Sequence, residues 1–382
     1  MGSDMRRKTG IFYGIIMASM AMIIIIGRFT LIPAKEDVDN VQAQWIGTEE
    51  MQGDVDKIKY SSNIFLIHQD VFQEQLNGVS GDEDTLEEAI GEEELEESVD
   101  FDAIIALREA EAIEALNIKN PDLQVFASAA VLMDATTKEI LYQKNALEEI
   151  QPASTAKLLT AIVAVECSDE DEEFVVGSEI GLMASDSSRA YLSKGQVLSL
   201  SQILDALLLP SGNDAAYTIA ANLGRKIAGD QSLKAKTAVK EFLRVMNETA
   251  FELGAVHSNF ATPDGYDAKG QYTTAYDMAL IGAKAIQYDE IRTTVVKEKA
   301  RDLLLSGEDV TWYNSNKLIK PGSGYYYKYA IGLKTGTSEE AGRCLISAAD
   351  KENSVYVSVV MDASSDGRWQ DSLNLLRYGI EQ

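Results

Sequence analysis

Lys157 heads a run, Leu158 to Val165 (LLTAIVAV), that is apolar at nearly every position. A helix apolar all round must be buried on most of its faces, so this segment predicts the middle of a core. The lysine at its head is then carried out of water. A desolvated ammonium, or one facing another cation, holds its proton less tightly and can act as a base. Ser154 stands three residues earlier. At that helical spacing the two side chains share a face, a nucleophile beside a base.

Two more short motifs lie downstream. Ser211-Gly-Asn213 follows Pro210, at the end of an apolar helix read over 198–209. Pro and Gly place Ser211 and Asn213 on a loop, and a helix resumes at Asp214. Lys334-Thr-Gly336 closes a strand-like run that begins at Ala330. A second serine with an asparagine suits a proton relay, and the Lys-Thr-Gly suits a docking edge. Each motif alone is weak. S-x-x-K arises by chance in many helices, and K-T-G by itself is a strand-to-turn step. All three in this order are specific.

The rest of the chain supplies an order of elements. Residues 125–133 and 139–142 read as a hairpin around a polar turn, Asp134 to Lys138. Residues 155–290 are mostly helical, with Thr262-Pro-Asp-Gly265 as a turn. Strand patterns return at 330–334, 343–349 and 354–361, and residues 367–378 close as a helix. Strands, helices, strands and a helix predict an α/β sheet whose middle is interrupted by a helical insertion.

With 382 residues and 46% hydrophobic content, the chain can build one large domain plus extra segments. Its net charge of −27 is uneven. Residues 35–120 carry 24 acidic and 5 basic side chains, and twelve of the 22 residues from Gly81 to Asp102 are Asp or Glu. Nothing resembles a basic stripe, so nucleic acid is excluded as a partner.

Arg6-Arg7-Lys8 precede the uncharged run Ile11 to Gly27, and apolar residues resume after Arg28 up to Pro33. Seventeen helical residues rise about 26 Å, and Arg28 can snorkel to let the span reach residue 33. The competing reading, a cleaved signal peptide, lacks a persuasive small-x-small site after the run. The expected organisation is therefore a cytoplasmic N-terminus (1–10), a transmembrane signal-anchor (11–33), an acidic and partly disordered extracytoplasmic spacer (34–120) and a catalytic domain (121–382). The basic flank sets that orientation. Within the spacer, Phe101 to Leu116 reads as an amphipathic helix. The region can serve as a simple stand-off or as a partner-binding segment.

These residues resemble the serine-type D-alanyl-D-alanine carboxypeptidases, the low-molecular-mass penicillin-binding proteins. The likeness covers about residues 122–378. It includes the segment VLMDATTKEILYQKNALEEIQPASTAK, and also LLLPSGNDAA, TPDGYD followed by GQYTTAYDMALI, NSNKLI and GLKTGTSEEAGRCLISAA. The resemblance implies a β-lactamase/penicillin-binding-protein-like antiparallel sheet flanked by helices. It makes Ser154 the acylated nucleophile and Lys157 its general base. Ser211 would relay a proton to the departing D-alanine, with Lys334 polarising it. Asn213 would hold the substrate amide, and Thr335, Gly336 and Thr337 the strand edge that pairs with substrate. The amides of Ser154 and Thr337 would form the oxyanion hole. Arg368 either binds the substrate's terminal carboxylate or is a first-turn residue of the last helix.

The implied substrate is the peptidoglycan stem pentapeptide, with β-lactams as covalent inhibitors and the membrane reached through the N-terminal helix. No cofactor and no metal is expected. His68 and His257 are the only histidines, which leaves no Ser-His-Asp triad and no His-based metal site. His257 reads as a residue that caps or packs a turn. Cys167 and Cys344 read as buried reduced thiols, with a disulfide possible only if the fold brings them together. Three alternatives stay open: a β-lactamase, a D,D-endopeptidase of the same fold, or a catalytically weak membrane-anchored penicillin-binding sensor. The β-lactamase fits less well. Its second motif would read S-D-N, and no E-x-x-L-N block is present to activate a deacylating water.

Overall fold

The computed structural model describes residues 101–382. The expected span at 11–33 and the acidic run at 81–100 lie outside the described residues. Among those described, no helix is long and apolar enough to cross a membrane.

The first element is helix α1 (Phe101–Leu116). Of its apolar residues only Ala112 is fully buried, where it joins the main core. Leu116 packs against that core, and the ring of Phe101 lies 6.4 Å from that of Phe251. The helix thus docks on the folded unit, upstream of residue 121. Strands β1 (Ala129–Asp134) and β2 (Ile140–Lys144) form the expected hairpin. Asp134 Oδ1 accepts the amides of Thr136 and Thr137 at 2.8 and 2.9 Å, which closes the turn. The first strand starts later than its apolar pattern suggests. Residues 126 and 127 give their amides to Asp371 Oδ2 (2.9 and 2.8 Å) instead of to a neighbouring strand.

A 3₁₀ turn over Ala153–Ala156 leads into α2 (Lys157–Cys167). Next come a short pair, β3 (Glu173–Val175) and β4 (Val197–Ser199), and then α3 (Leu200–Leu208), α4 (Asn213–Ala228), α5 (Ala235–Glu252), α6 (Ala275–Ala285) and α7 (Asp289–Val295). Ser199 and Gln202 form a capping box that starts α3. A second hairpin, β5 (Lys299–Leu303) and β6 (Asp309–Tyr313), was not expected from the sequence. The chain ends with β7 (Ala330–Ser338), β8 (Gly342–Lys351), β9 (Ser354–Ala363) and α8 (Gly367–Ile380).

The main sheet is antiparallel throughout, in the order β2-β1-β9-β8-β7. Alternate residues serve its two faces. Val131, Met133, Ile346, Val357 and Val359 enter the core shared with α2 and α6. Leu132, Leu345 and Val360 pack with Trp369, Leu373 and Leu376 of α8. Because helices cover both faces, these strands are apolar at successive positions. Strand β7 is the sheet edge, and it packs against the 153–156 turn. The edge strand, that turn and the start of α4 enclose the place where the three motifs lie.

Candidate active site

Ser154 is not on the helix but in the 3₁₀ turn ahead of it, and Lys157 is the first residue of α2. Residues i and i+3 eclipse in a 3₁₀ turn, so the Lys157 ammonium reaches Ser154 Oγ at 2.9 Å. Ala153, just before the serine, has φ 46° and Ser211 has φ 65°. Left-handed conformations cost energy for residues with a Cβ, and such strain gathers at functional sites.

The Lys157 side chain is fully buried. Besides Ser154 Oγ, its ammonium donates to Asn213 Oδ1 at 2.7 Å and to the Asp264 carbonyl at 2.8 Å. Burial pushes its pKa down to about 8, against the opposing pull of the Asp264 and Asp214 carboxylates. The Asp264 carbonyl is brought in by the Thr262–Gly265 turn. Gly265 has φ +75°, and a Cβ there would lie 1.9 Å from the Ala153 carbonyl oxygen. Only glycine lets that turn pass so close behind the nucleophile.

Asn213 is the first residue of α4, so it sits on a helix terminus and not on the loop expected for it. Ser211 does lie outside the helix, and its hydroxyl is buried with no hydrogen-bond partner. Lys334 is fully buried too. Burial lowers its pKa well below the usual value, and the positive charges of Lys157 and Arg368 lower it further. Its ammonium donates to the Thr335 carbonyl at 2.9 Å. The expected contact between Lys334 and Ser211 is therefore not made directly. The third motif lies inside β7 instead of after it: Thr335 Oγ1 meets Ser315 Oγ at 2.7 Å, and Thr337 Oγ1 donates to the Gly336 carbonyl.

Arg368 lies in the first turn of α8, at the far end of this edge. Its Nη1 donates to the Gly336 carbonyl and to Thr337 Oγ1, each at 3.1 Å, while its Nε is buried without a partner. The guanidinium also lies 4.6 Å over the Trp369 ring. It is thus fixed against the motif strand with a donor to spare.

Several site residues escaped the sequence reading. Ser188 donates to the Ser211 carbonyl (2.6 Å) and to Asn213 Oδ1 (3.3 Å). Ser315 holds Thr335, and Asp214 is buried beside Asn213. Ser188 lies in none of the segments that carry the resemblance, Ser315 lies in NSNKLI but has no role assigned there, and Asp264 acts through its backbone, which has no side-chain signature. Among the described residues, no cluster of three or more His, Cys, Asp or Glu side chains is placed to hold a metal. Both cysteines are free thiols. His257 packs on the start of α6, where its amide donates to Asp277 Oδ2 at 2.8 Å.

Comparison with known proteins agrees with this geometry. The sequence model of the D-alanyl-D-alanine carboxypeptidase family, peptidase S11, matches residues 115–365. The D-alanyl-D-alanine carboxypeptidase DacF of Bacillus subtilis is 31% identical over 63% of this chain, and the match spans 58% of that protein's own length. A D-alanyl-D-alanine carboxypeptidase of Streptomyces sp. strain K15 is 31% identical over 73% of this chain and 94% of its own. The crystal structure of the Streptomyces K15 DD-transpeptidase superposes with a TM-score of 0.62, covering 69% of this chain and all of that one at 28% identity. The family's pattern runs from the end of α1 to the turn before α8, so the chain belongs to the D-alanyl-D-alanine carboxypeptidase family.

Proposed function

We propose that the chain is a serine D-alanyl-D-alanine carboxypeptidase that removes the terminal D-alanine from peptidoglycan pentapeptide stems. The observation that carries this reading is the dry Lys157 ammonium, bonded to Ser154 Oγ and Asn213 Oδ1 at once. A lysine that titrates near 8 is neutral often enough at physiological pH to take the serine proton. Ser154 Oγ then attacks the carbonyl of the penultimate D-alanine. The C–N bond breaks, the amine of the last D-alanine takes up a proton through the Ser211 hydroxyl, and an ester on Ser154 remains. Water, deprotonated by Lys157, attacks the ester carbonyl and releases the shortened stem with Ser154 restored. A β-lactam acylates Ser154 in the same way, but its leaving amine stays tethered, so the adduct persists. The apolar run at 11–33 anchors the enzyme in the membrane, and the acidic segment between it and α1 sets the catalytic domain off its outer surface.

The full chain, given a muramyl pentapeptide ending in D-Ala-D-Ala, should release one D-alanine per tetrapeptide formed, and prior penicillin treatment should stop it. Rapid penicillin hydrolysis without D-alanine release would make it a β-lactamase. Stoichiometric labelling without turnover would make it a sensor. Tetrapeptide found joined to an added amine would indicate transfer, the activity named for the Streptomyces K15 structure.

Arg368 gives a sharper discrimination. A carboxypeptidase must recognise a free terminal carboxylate, whereas an endopeptidase need not. Arg368→Ala is expected to slow D-Ala-D-Ala turnover far more than acylation by an ester that lacks the carboxylate. Loss of a charge-assisted pair in a half-buried cleft should cost roughly 2 kcal/mol or more. Equal losses on both substrates would assign Arg368 to helix packing and favour the endopeptidase.

A further inference from the structure

Asn213 is held from outside by a strap, residues 185–192. Its backbone amide donates to the Ser188 carbonyl at 2.9 Å, and the Ser188 hydroxyl returns to Ser211 and Asn213. Next to it, the Asp214 side chain is 1% exposed. Its Oδ1 accepts the Ala190 amide (2.8 Å) and its own neighbour's amide at Ala215 (3.0 Å), and its Oδ2 accepts the Leu192 amide (2.9 Å).

Two amides two residues apart converge on one carboxylate because Tyr191 between them stands at φ 62°. Alternation of this kind makes a concave anion-binding nest. The strain is not repaid by packing of that side chain, since Tyr191 is 84% exposed. Gly212, at the centre of the second motif, fits the same account. A Cβ there would fall 2.7 Å from Asp214 Oδ1 and 2.8 Å from Ala190 Cβ. Strap, glycine and carboxylate therefore close on one another.

We propose that Asp214 is a positioning residue for acylation: it clamps the strap onto the second motif and sets the electrostatic field in which Lys157 works. The proposal rests on the acyl-enzyme reading above. The charged groups around Lys157 are Asp264 and Asp214, which favour its ammonium form, and Lys334, whose own ammonium Lys157 opposes. Without the Asp214 charge, Lys157 becomes neutral at lower pH. Without the clamp, Asn213 and Ser211 lose their support.

The test is the rate of acylation by a penicillin between about pH 5 and pH 10, the window in which Lys157 titrates. In Asp214→Asn the rising limb should move to lower pH by about half a unit or more, and the plateau should fall about tenfold or more. An unmoved limb or an unmoved plateau overturns the proposal. Asp214→Glu keeps the charge but displaces it by a methylene, so its limb should stay and its plateau fall; a wild-type plateau there also overturns it. Should Asp214→Asn not fold, Asp214→Glu and Ser188→Ala carry the test. Ser188→Ala removes a strap contact and no charge, so it too should lower the plateau without moving the limb, and a moved limb counts against the proposal. A wild type that takes no penicillin at any pH overturns the acyl-enzyme reading and this one with it. A wild type that acylates, with limb or plateau unmoved in the variants, overturns this one alone.

Discussion

Ser154→Ala is expected to abolish covalent labelling by a fluorescent penicillin and to leave the thermal midpoint nearly unchanged. Neither cysteine, nor the threonine beside Ser154, is placed to substitute. Burial pushes the thiols of Cys167 and Cys344 up to about 11, so neither is a thiolate at neutral pH. Thr155, next to Ser154, is fully buried and spends its hydroxyl on the Pro152 carbonyl. The fold should tolerate the change because Lys157 keeps two acceptors, Asn213 Oδ1 and the Asp264 carbonyl. No buried charge is left stranded. Gel fluorescence at stoichiometric protein checks this, and a full-strength band from the variant would move the nucleophile elsewhere.

The parts of the site that could be read from the sequence are those whose chemistry is written in side chains next to a strong hydrophobic pattern. The LLTAIVAV run announced a buried helix, and burial of Lys157 followed from it. Continuous apolar runs across β8 and β9 announced strands, as expected where both faces of the sheet are covered. What could not be read depends on tertiary closeness. The Asp264 carbonyl reaches Lys157 across 107 positions of sequence, and Ser188 reaches Asn213 across 25.

Hairpin β5–β6 was missed because its outward positions carry Lys299, Arg301, Asp309 and Thr311, and only the other face, with Ala300 and Trp312, is buried. That is a half-buried pattern too short to stand out between polar loops. Helix α7 has only seven residues and contains β-branched Thr293, Thr294 and Val295, which lower helix propensity. Helix α1 is legible as an element but its docking is not, since only Ala112 is fully buried and the other contacts, Leu116 and Phe101, are partial. The relay between Ser211 and Lys334 was read from resemblance. The side chains lie in the same site, yet the lysine turns to the Thr335 carbonyl.

Lys157→Ala should reduce the acylation rate by about a thousandfold, within the range by which a positioned general base speeds proton transfer. A serine hydroxyl without a base is a poor nucleophile. Lys334 cannot readily replace it, because its ammonium lies on the Thr335 carbonyl and not on Ser154. The pH profile separates loss of the base from general damage. In the wild type the neutral form of Lys157 dominates above about pH 8, so the rate should climb through that pH and then level. The variant should lack that limb.

Stability should respond in a matching direction. Unfolded, the lysine titrates near 10.5; folded, it titrates near 8. Between those values the unfolded chain binds more protons, so stability rises with pH across that window and the contribution is lost as pH falls through it. Lys157→Ala removes this dependence, so wild type should gain on the variant, by on the order of a few kcal/mol, as pH rises from about 8 to about 10. Denaturant melts at the two pH values measure the difference. A variant that keeps the kinetic limb, and whose stability rises with pH as much as that of the wild type, would show that another group supplies the base.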